Sequence, residues 1–142
     1  MGLDMYVQRT KFKPSKEVDF QEEIYPNKDE GGYPDFESPV CPLEEVFYWR
    51  KHPDLHGWMR RLYEKKGGQD PHFNGNPVVL TLQDLTDLKG EIMADTLPDT
   101  TGFFFGNSKK SDIYQKVKDL EFIEEAKAAI LEGYTVFYDS SW

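Results

Sequence analysis

Residues 46–58, V-F-Y-W-R-K-H-P-D-L-H-G-W, gather Tyr48, Trp49, Arg50, Lys51, His52, His56 and Trp58 within thirteen positions. These residue types bind flat, charged molecules: aromatic faces stack, guanidinium and ammonium groups hold anions, and a helix start offers free backbone N–H groups to a phosphate or carboxylate. A ligand site is therefore expected here, with Tyr48, Arg50, Lys51, His56 and Trp58 as binding residues. A second stretch, Gly102-Phe103-Phe104-Phe105-Gly106, sets three aromatics between glycines. Three successive residues in extended structure cannot all face one way, so at least one of Phe103, Phe104 and Phe105 meets a second surface, a partner or a ligand. The stretch either closes the site over its ligand or is a packed turn.

Each of these residues also has a plainer role. Arg50 and Lys51 fall on opposite faces if their strand continues, so at most one points the same way as Tyr48. Trp49 and Trp58 read as core residues before stacking platforms, and His56 as either a hydrogen-bonded boundary residue or a ligand contact. His52 and His56 stand one helical turn apart and could hold a metal with Asp54 or His72. No Glu follows as in H-E-x-x-H, and His52 sits at a helix N-cap, so neither a metal nor another cofactor is expected. Cys41 and the serines lie in no nucleophile motif such as G-x-S-x-G, and no phosphate loop appears. A hydrolase or transferase is only a third reading, behind two binding functions.

The elements that must position these residues follow from periodicity. Residues 3–9 alternate and are rich in β-formers, which predicts a strand near the centre of the sheet. Prolines at 14, 26, 34, 39 and 42 and the Gly31-Gly32 pair oppose regular structure across residues 14–42, a long acidic excursion that Phe20, Ile24, Tyr25, Tyr33 and Phe36 would hold against the body. It is either a functional flap or a bland insertion. Residues 45–50 read as strand. His52-Pro53 then fits an N-cap followed by Pro at the first helical position, opening a helix over 53–65 with Leu55, Trp58, Met59 and Leu62 inward. Gly57 weakens that helix, so close approach of another backbone or of a ligand is a reason for it.

A short strand at 78–80 precedes a helix over 82–93, capped by Thr81 with Asp84 and burying Leu82, Leu85, Leu88 and Ile92. Ser111 is expected to cap a long helix to 132 with Ile113, Val117, Leu120, Ile123 and Ile130 inward, and Gly133 stops it. Residues 134–139 alternate as a last strand. The order predicts one α+β domain over residues 1–142: a mainly antiparallel sheet holding both terminal strands, about three helices packed on it, and a long acidic loop after the first strand.

Charge narrows the partners. The net charge is −9 over 142 residues, and residues 14–45 carry ten acids against Lys16 and Lys28. That segment nets −8 and the remainder −1. A duplex-binding protein presents a broad basic face, so duplex nucleic acid is not expected, while residues 50–66, with six bases against Asp54 and Glu64, leave room for a local anion site. A single cysteine excludes an internal disulfide. With no apolar run of 18 residues and no signal-like N-terminal stretch, the chain reads as a soluble intracellular protein with no membrane partner. Phe103 to Phe105 and Trp142 are candidate surfaces for a homodimer.

The opening Met1-Gly2-Leu3-Asp4-Met5-Tyr6, the strand Tyr48-Trp49-Arg50-Lys51 followed by His56 and Trp58, the Gly102 to Gly106 turn and the closing Ser140-Ser141-Trp142 resemble a family of small phage and prophage proteins that begin with the same hexapeptide. Residues 14–42 look expanded relative to it. The resemblance implies a phage accessory protein in the host cytoplasm, of a kind that blocks host defence by capturing a nucleotide signal or by covering a host protein. Two functions are expected on these grounds: capture of a small anionic, nucleotide-type ligand, or inhibition of a host protein through the acidic segment 14–45.

Overall fold

A computed structural model describes residues 2–100 and 112–142 of the chain. The expected contribution of Phe103, Phe104 and Phe105 lies outside the described residues. The fold is α+β, as the pattern predicts. Four strands, β1 (Asp4–Thr10), β2 (Glu44–Arg50), β3 (Val78–Leu80) and β4 (Thr135–Ser141), form an antiparallel sheet in the order β2-β1-β4-β3. Both terminal strands lie at its centre.

One face of the sheet carries α2 (Pro53–Lys65), α3 (Leu82–Ala94) and α4 (Ile113–Leu131) over a core that includes Met5, Val7, Trp49, Val136 and Tyr138. In α2 all four expected residues, Leu55, Trp58, Met59 and Leu62, are buried. Thr81 and Asp84 form the reciprocal capping box that starts α3, and Gly133, at φ 96°, follows α4 as its stop. Among the described residues no helix is long and apolar enough to cross a membrane.

Three packing expectations need correction. Leu82 is 40% exposed at the start of α3. Ile113 and Val117 are 63% and 49% exposed, because the inward stripe of α4 runs through Asp119, Phe122, Ile123, Ala126 and Ala129. At about 100° per residue Ile113 and Val117 fall roughly 80° and 120° off Ile123, outside that stripe. The N-cap of α4 is Asp112, whose carboxylate accepts from the Tyr114 and Gln115 N–H groups.

The acidic excursion folds back over the other face of the sheet. Phe20 and Ile24 bury against Phe137, with Phe12, Tyr25, Leu43 and Val79 around them, and a four-residue helix α1 (Gln21–Ile24) forms where the prolines argued against any. Tyr33 and Phe36, expected as anchors, are 71% and 67% exposed. Phe20, edge-on to Phe137 at 5.5 Å, and Ile24 anchor the segment instead, with Asp19 N–H donating to Pro77 O and Val79 N–H to Glu17 O beside them.

Gly57 answers its own question. A Cβ there would meet Thr100 Oγ1 at 1.8 Å and Thr100 Cβ at 2.9 Å. Thr100 is in turn fixed by its N–H donating to Asp54 Oδ1 at 3.2 Å, so it cannot simply retreat. Helix propensity alone would have Gly57→Ala stabilise by about 1 kcal/mol. Overpacking should win instead, with a net loss of about 1 to 3 kcal/mol by denaturant unfolding; a stabilised variant would contradict this packing.

Candidate functional site

The structure divides the residues of the 46–58 stretch between the two faces of the sheet. Tyr48 and Arg50 alternate outward on β2 while Trp49 points into the helical side. His56 and Trp58 lie on the helical side as well, so the four do not converge.

His56 is 1% exposed, with its ring against Phe73 and its Nδ1 hydrogen-bonded to the Tyr138 hydroxyl at 2.6 Å. Burial, aided by the Arg60 charge, lowers its pKa from 6.5 to about 4, so it is a neutral ring at pH 7. Trp58 is 7% exposed and its indole N–H donates to Glu91 on α3. It lines a groove of about 210 Å³ with Arg61, Leu62, Lys65, Asp84 and Asp87. That is smaller than the roughly 300 Å³ at which pockets for drug-sized ligands begin.

His52 caps α2 in sequence only, since its side chain accepts from no first-turn N–H. Its Nε2 donates instead to Asp119 Oδ2 at 2.8 Å, and Asp119 Oδ1 accepts from Trp49 Nε1 and from Gln115 Nε2, each at 3.0 Å. The two histidines are thereby committed to separate buried partners. Among the described residues no three His, Cys, Asp or Glu side chains converge on a metal position.

The outer face is arranged differently. Register pairs Tyr48 with Tyr6 and Tyr6 with Asp139 in one row, and Arg50 with Asp4 and Asp4 with Ser141 in the next. The excursion packs on the neighbouring row at Phe137, while Tyr48 and Arg50 stay exposed and Tyr6 and Asp139 half-buried, a shelf of tyrosines and charged groups. Tyr6 and Tyr48 rings lie 5.3 Å apart, the Tyr48 hydroxyl donates to Asp4, and Arg50 Nη1 is 3.6 Å from the same carboxylate. Tyr25, ring to ring with Phe36 at 5.0 Å, belongs to the excursion that borders the shelf.

Alternation alone would have sent Lys51 away from Arg50. The strand ends at Arg50, however, and Lys51 adopts a left-handed conformation at φ 55° that turns the chain. Both side chains consequently approach Gly2, where a Cβ would lie 3.0 Å from Arg50 Nη2 and 3.0 Å from Lys51 Cε. Gly2 itself has φ 138°, so a side chain is disfavoured there twice over. The result is a basic corner beside the tyrosine pair.

Asp139 is the shelf residue that the sequence did not single out. Half-buried on β4, it accepts from the Ser140 N–H at 2.8 Å, yet burial still raises its pKa from 3.8 to about 6. Burial is also the largest cause of the raised pKa values of Tyr6 and Tyr25, and the Asp139 charge adds to both. A carboxyl group titrating near neutrality on a partly covered aromatic surface is a recurring mark of a functional position. The sequence signal was available in Val136-Phe137-Tyr138, three consecutive apolar residues that mark β4 as covered on both faces.

No protein-family model matches the chain, and neither the curated proteins nor the solved structures contain a match.

Proposed function

We propose that this is a non-catalytic binding protein that captures a small anionic ligand with a flat ring system, of nucleotide type, on the uncovered half of the outer sheet face. The ligand's anionic group lies at the Arg50 and Lys51 corner and its ring on Tyr48 and Tyr6, with Asp139 accepting hydrogen bonds from ring N–H groups. The observation that carries this reading is that Tyr48 and Arg50 stay exposed, with Tyr6 half-buried beside them, while the excursion packs on the neighbouring Phe137 row. The phage-protein resemblance supplies the setting: an accessory protein in the host cytoplasm that withdraws a defence signal.

The test is a thermal-shift series against nucleotides, cyclic dinucleotides and ADP-ribose derivatives. A ligand at 100 times its dissociation constant stabilises by about 2.7 kcal/mol. Arg50→Ala should change stability by about 0.5 kcal/mol or less, since the side chain is exposed. The same variant should weaken binding by about 1.5 to 3 kcal/mol, the range for a hydrogen bond to a charged group. Normal melting with normal binding in that variant would remove the basic corner from the site.

A second reading is favoured by a separate observation. Tyr33 and Phe36 stand 71% and 67% exposed among Asp29, Glu30 and Glu37. Aromatics in an acidic surround suit a basic host protein, which the chain would inhibit by covering it. Deleting residues 14–45 would strip Phe20 and Ile24 from Phe137 and damage the fold, so the informative variant is Tyr33→Ala with Phe36→Ala. A stoichiometric, salt-sensitive complex that this double variant abolishes supports the reading; an unaffected complex excludes it.

A further inference from the structure

On the helical side of the sheet, away from the shelf, α2 and α3 are joined at two places. At one, the indole N–H of Trp58 donates to Glu91 on α3. At the other, Lys66, the residue after α2, donates to Asp84 Oδ2 at 2.6 Å in the first turn of α3. Joining 58 to 91 and 66 to 84 sets the helices antiparallel. At about 1.5 Å per residue the two joints stand roughly 10 to 12 Å apart along both helices. Between them runs the groove of about 210 Å³, whose buried lining is Trp58 and Leu62.

The walls of this groove carry opposite charge. Arg61 and Lys65 stand one turn apart on α2, and Asp87 and Glu91 one turn apart on α3. None of these four enters an ion pair among the described residues, whereas Lys66 and Asp84 at the end of the groove do. Asp87 Oδ1 accepts from Gln83 Nε2 at 2.9 Å on its own helix, and Glu91 Oε2 accepts from the Trp58 indole. Each carboxylate therefore keeps its second oxygen for another donor. An anion alone would be repelled by the α3 wall and a cation alone by the α2 wall. A molecule that carries both charges satisfies both.

We propose that the groove between α2 and α3 binds a small zwitterion of the α-amino-acid type. Its carboxylate lies against the Arg61 guanidinium, which can give two parallel hydrogen bonds, with the Lys65 ammonium beside it. Its ammonium lies between Asp87 and Glu91, and its side chain rests on Trp58 and Leu62. The volume corresponds to about seven waters at ~30 Å³ each, which admits a small or medium apolar side chain and excludes a nucleotide. This site is thus separate from the shelf both in place and in the chemistry of its ligand.

The test is a titration of isotope-labelled protein with alanine, valine and leucine, followed at the indole N–H resonance of Trp58, which Trp58→Phe identifies. Glu91 accepts that N–H and also holds the ligand's ammonium, so the resonance should move on binding. N-acetyl-leucine lacks the ammonium and leucinamide lacks the carboxylate, so each should bind at least about tenfold more weakly than leucine. Arg61 and Asp87 are exposed, so Arg61→Ala and Asp87→Asn should melt as the wild-type protein does. Each should nevertheless weaken leucine binding about tenfold, the loss of one hydrogen bond to a charged group. A Trp58 resonance that none of the three amino acids moves would overturn the proposal. Equal binding of leucine and its two blocked forms, or variants that bind leucine as the wild type does, would also overturn it and leave the walls as solvated surface charge.

Discussion

Asp119→Ala is expected to destabilise the fold by about 4 kcal/mol, within the roughly 3 to 5 kcal/mol seen when one member of a buried polar pair is removed. Asp119 is 2% exposed, and its two oxygens receive Trp49 Nε1, Gln115 Nε2 and His52 Nε2 from β2, from its own helix α4 and from the turn before α2. Truncation leaves the Trp49 and His52 donors buried without an acceptor; each such loss costs about 1 to 3 kcal/mol, and the losses overlap because the donors share one carboxylate. At this chain length the loss should lower Tm by roughly 12 °C. Trp49→Phe removes a single donor and keeps Asp119, so a loss of about 1.5 kcal/mol is expected there. Chemical unfolding of the two variants is the measurement. Equal losses would show that the indole bond, rather than the three-way junction, carries the stability.

The same junction shows why part of the interior was not legible. Local periodicity identifies an inward stripe by its apolar residues, so a stripe that contains Asp119 is scored against itself, and Ile113 and Val117 drew the expected face of α4 away from the true one. The partners of Asp119 lie 70 and 67 positions away in sequence, beyond any local pattern. By contrast, the strands, the capping box at Thr81 and the stripe of α2 were readable because each depends on residues within a turn or two of one another. Gly57 was half readable: its cost to the helix implied a close neighbour, but only the folded chain identifies Thr100.

The candidate site divides in the same way. Alternation along β2 allowed at most one of Arg50 and Lys51 to share a face with Tyr48, and the strand puts Arg50 there. Grouping His56 and Trp58 with them failed to account for the turn at Lys51, after which α2 crosses to the helical side. A left-handed residue there is encoded in nothing about lysine, which disfavours that conformation, so the sequence gives no warning of it. The extent of the shelf was also out of reach, because it depends on where Phe20 and Ile24 land on the sheet and hence which row stays uncovered.

Asp139→Asn should stabilise the protein by about 2 kcal/mol at pH 7 to 8 and by nothing below pH 4. The folded pKa of Asp139, about 6, lies above its ordinary value of 3.8, so the fold prefers the protonated acid. That preference contributes fully below pH 3.8 and is lost as pH rises through 6. The full shift corresponds to about 3 kcal/mol, reduced here to about 2 because the group is half-buried and partly screened by solvent. His56 has the opposite sign: its folded pKa of about 4 lies below 6.5, so its contribution is complete above pH 6.5 and is lost as pH falls through 4. Fully buried, it is worth roughly 3 kcal/mol. In the wild-type protein the two slopes oppose each other between pH 4 and 6, so the contribution of this pair should stay nearly flat there. Asp139→Asn keeps an acceptor for the Ser140 N–H but removes the compensating titration, so the His56 slope should emerge as a steep acid loss between pH 6.5 and 4. Stability measured by urea unfolding at half-unit pH intervals distinguishes the cases. Parallel pH profiles for wild type and Asp139→Asn would show that Asp139 titrates as an ordinary surface carboxylate and takes no part in the partly covered shelf.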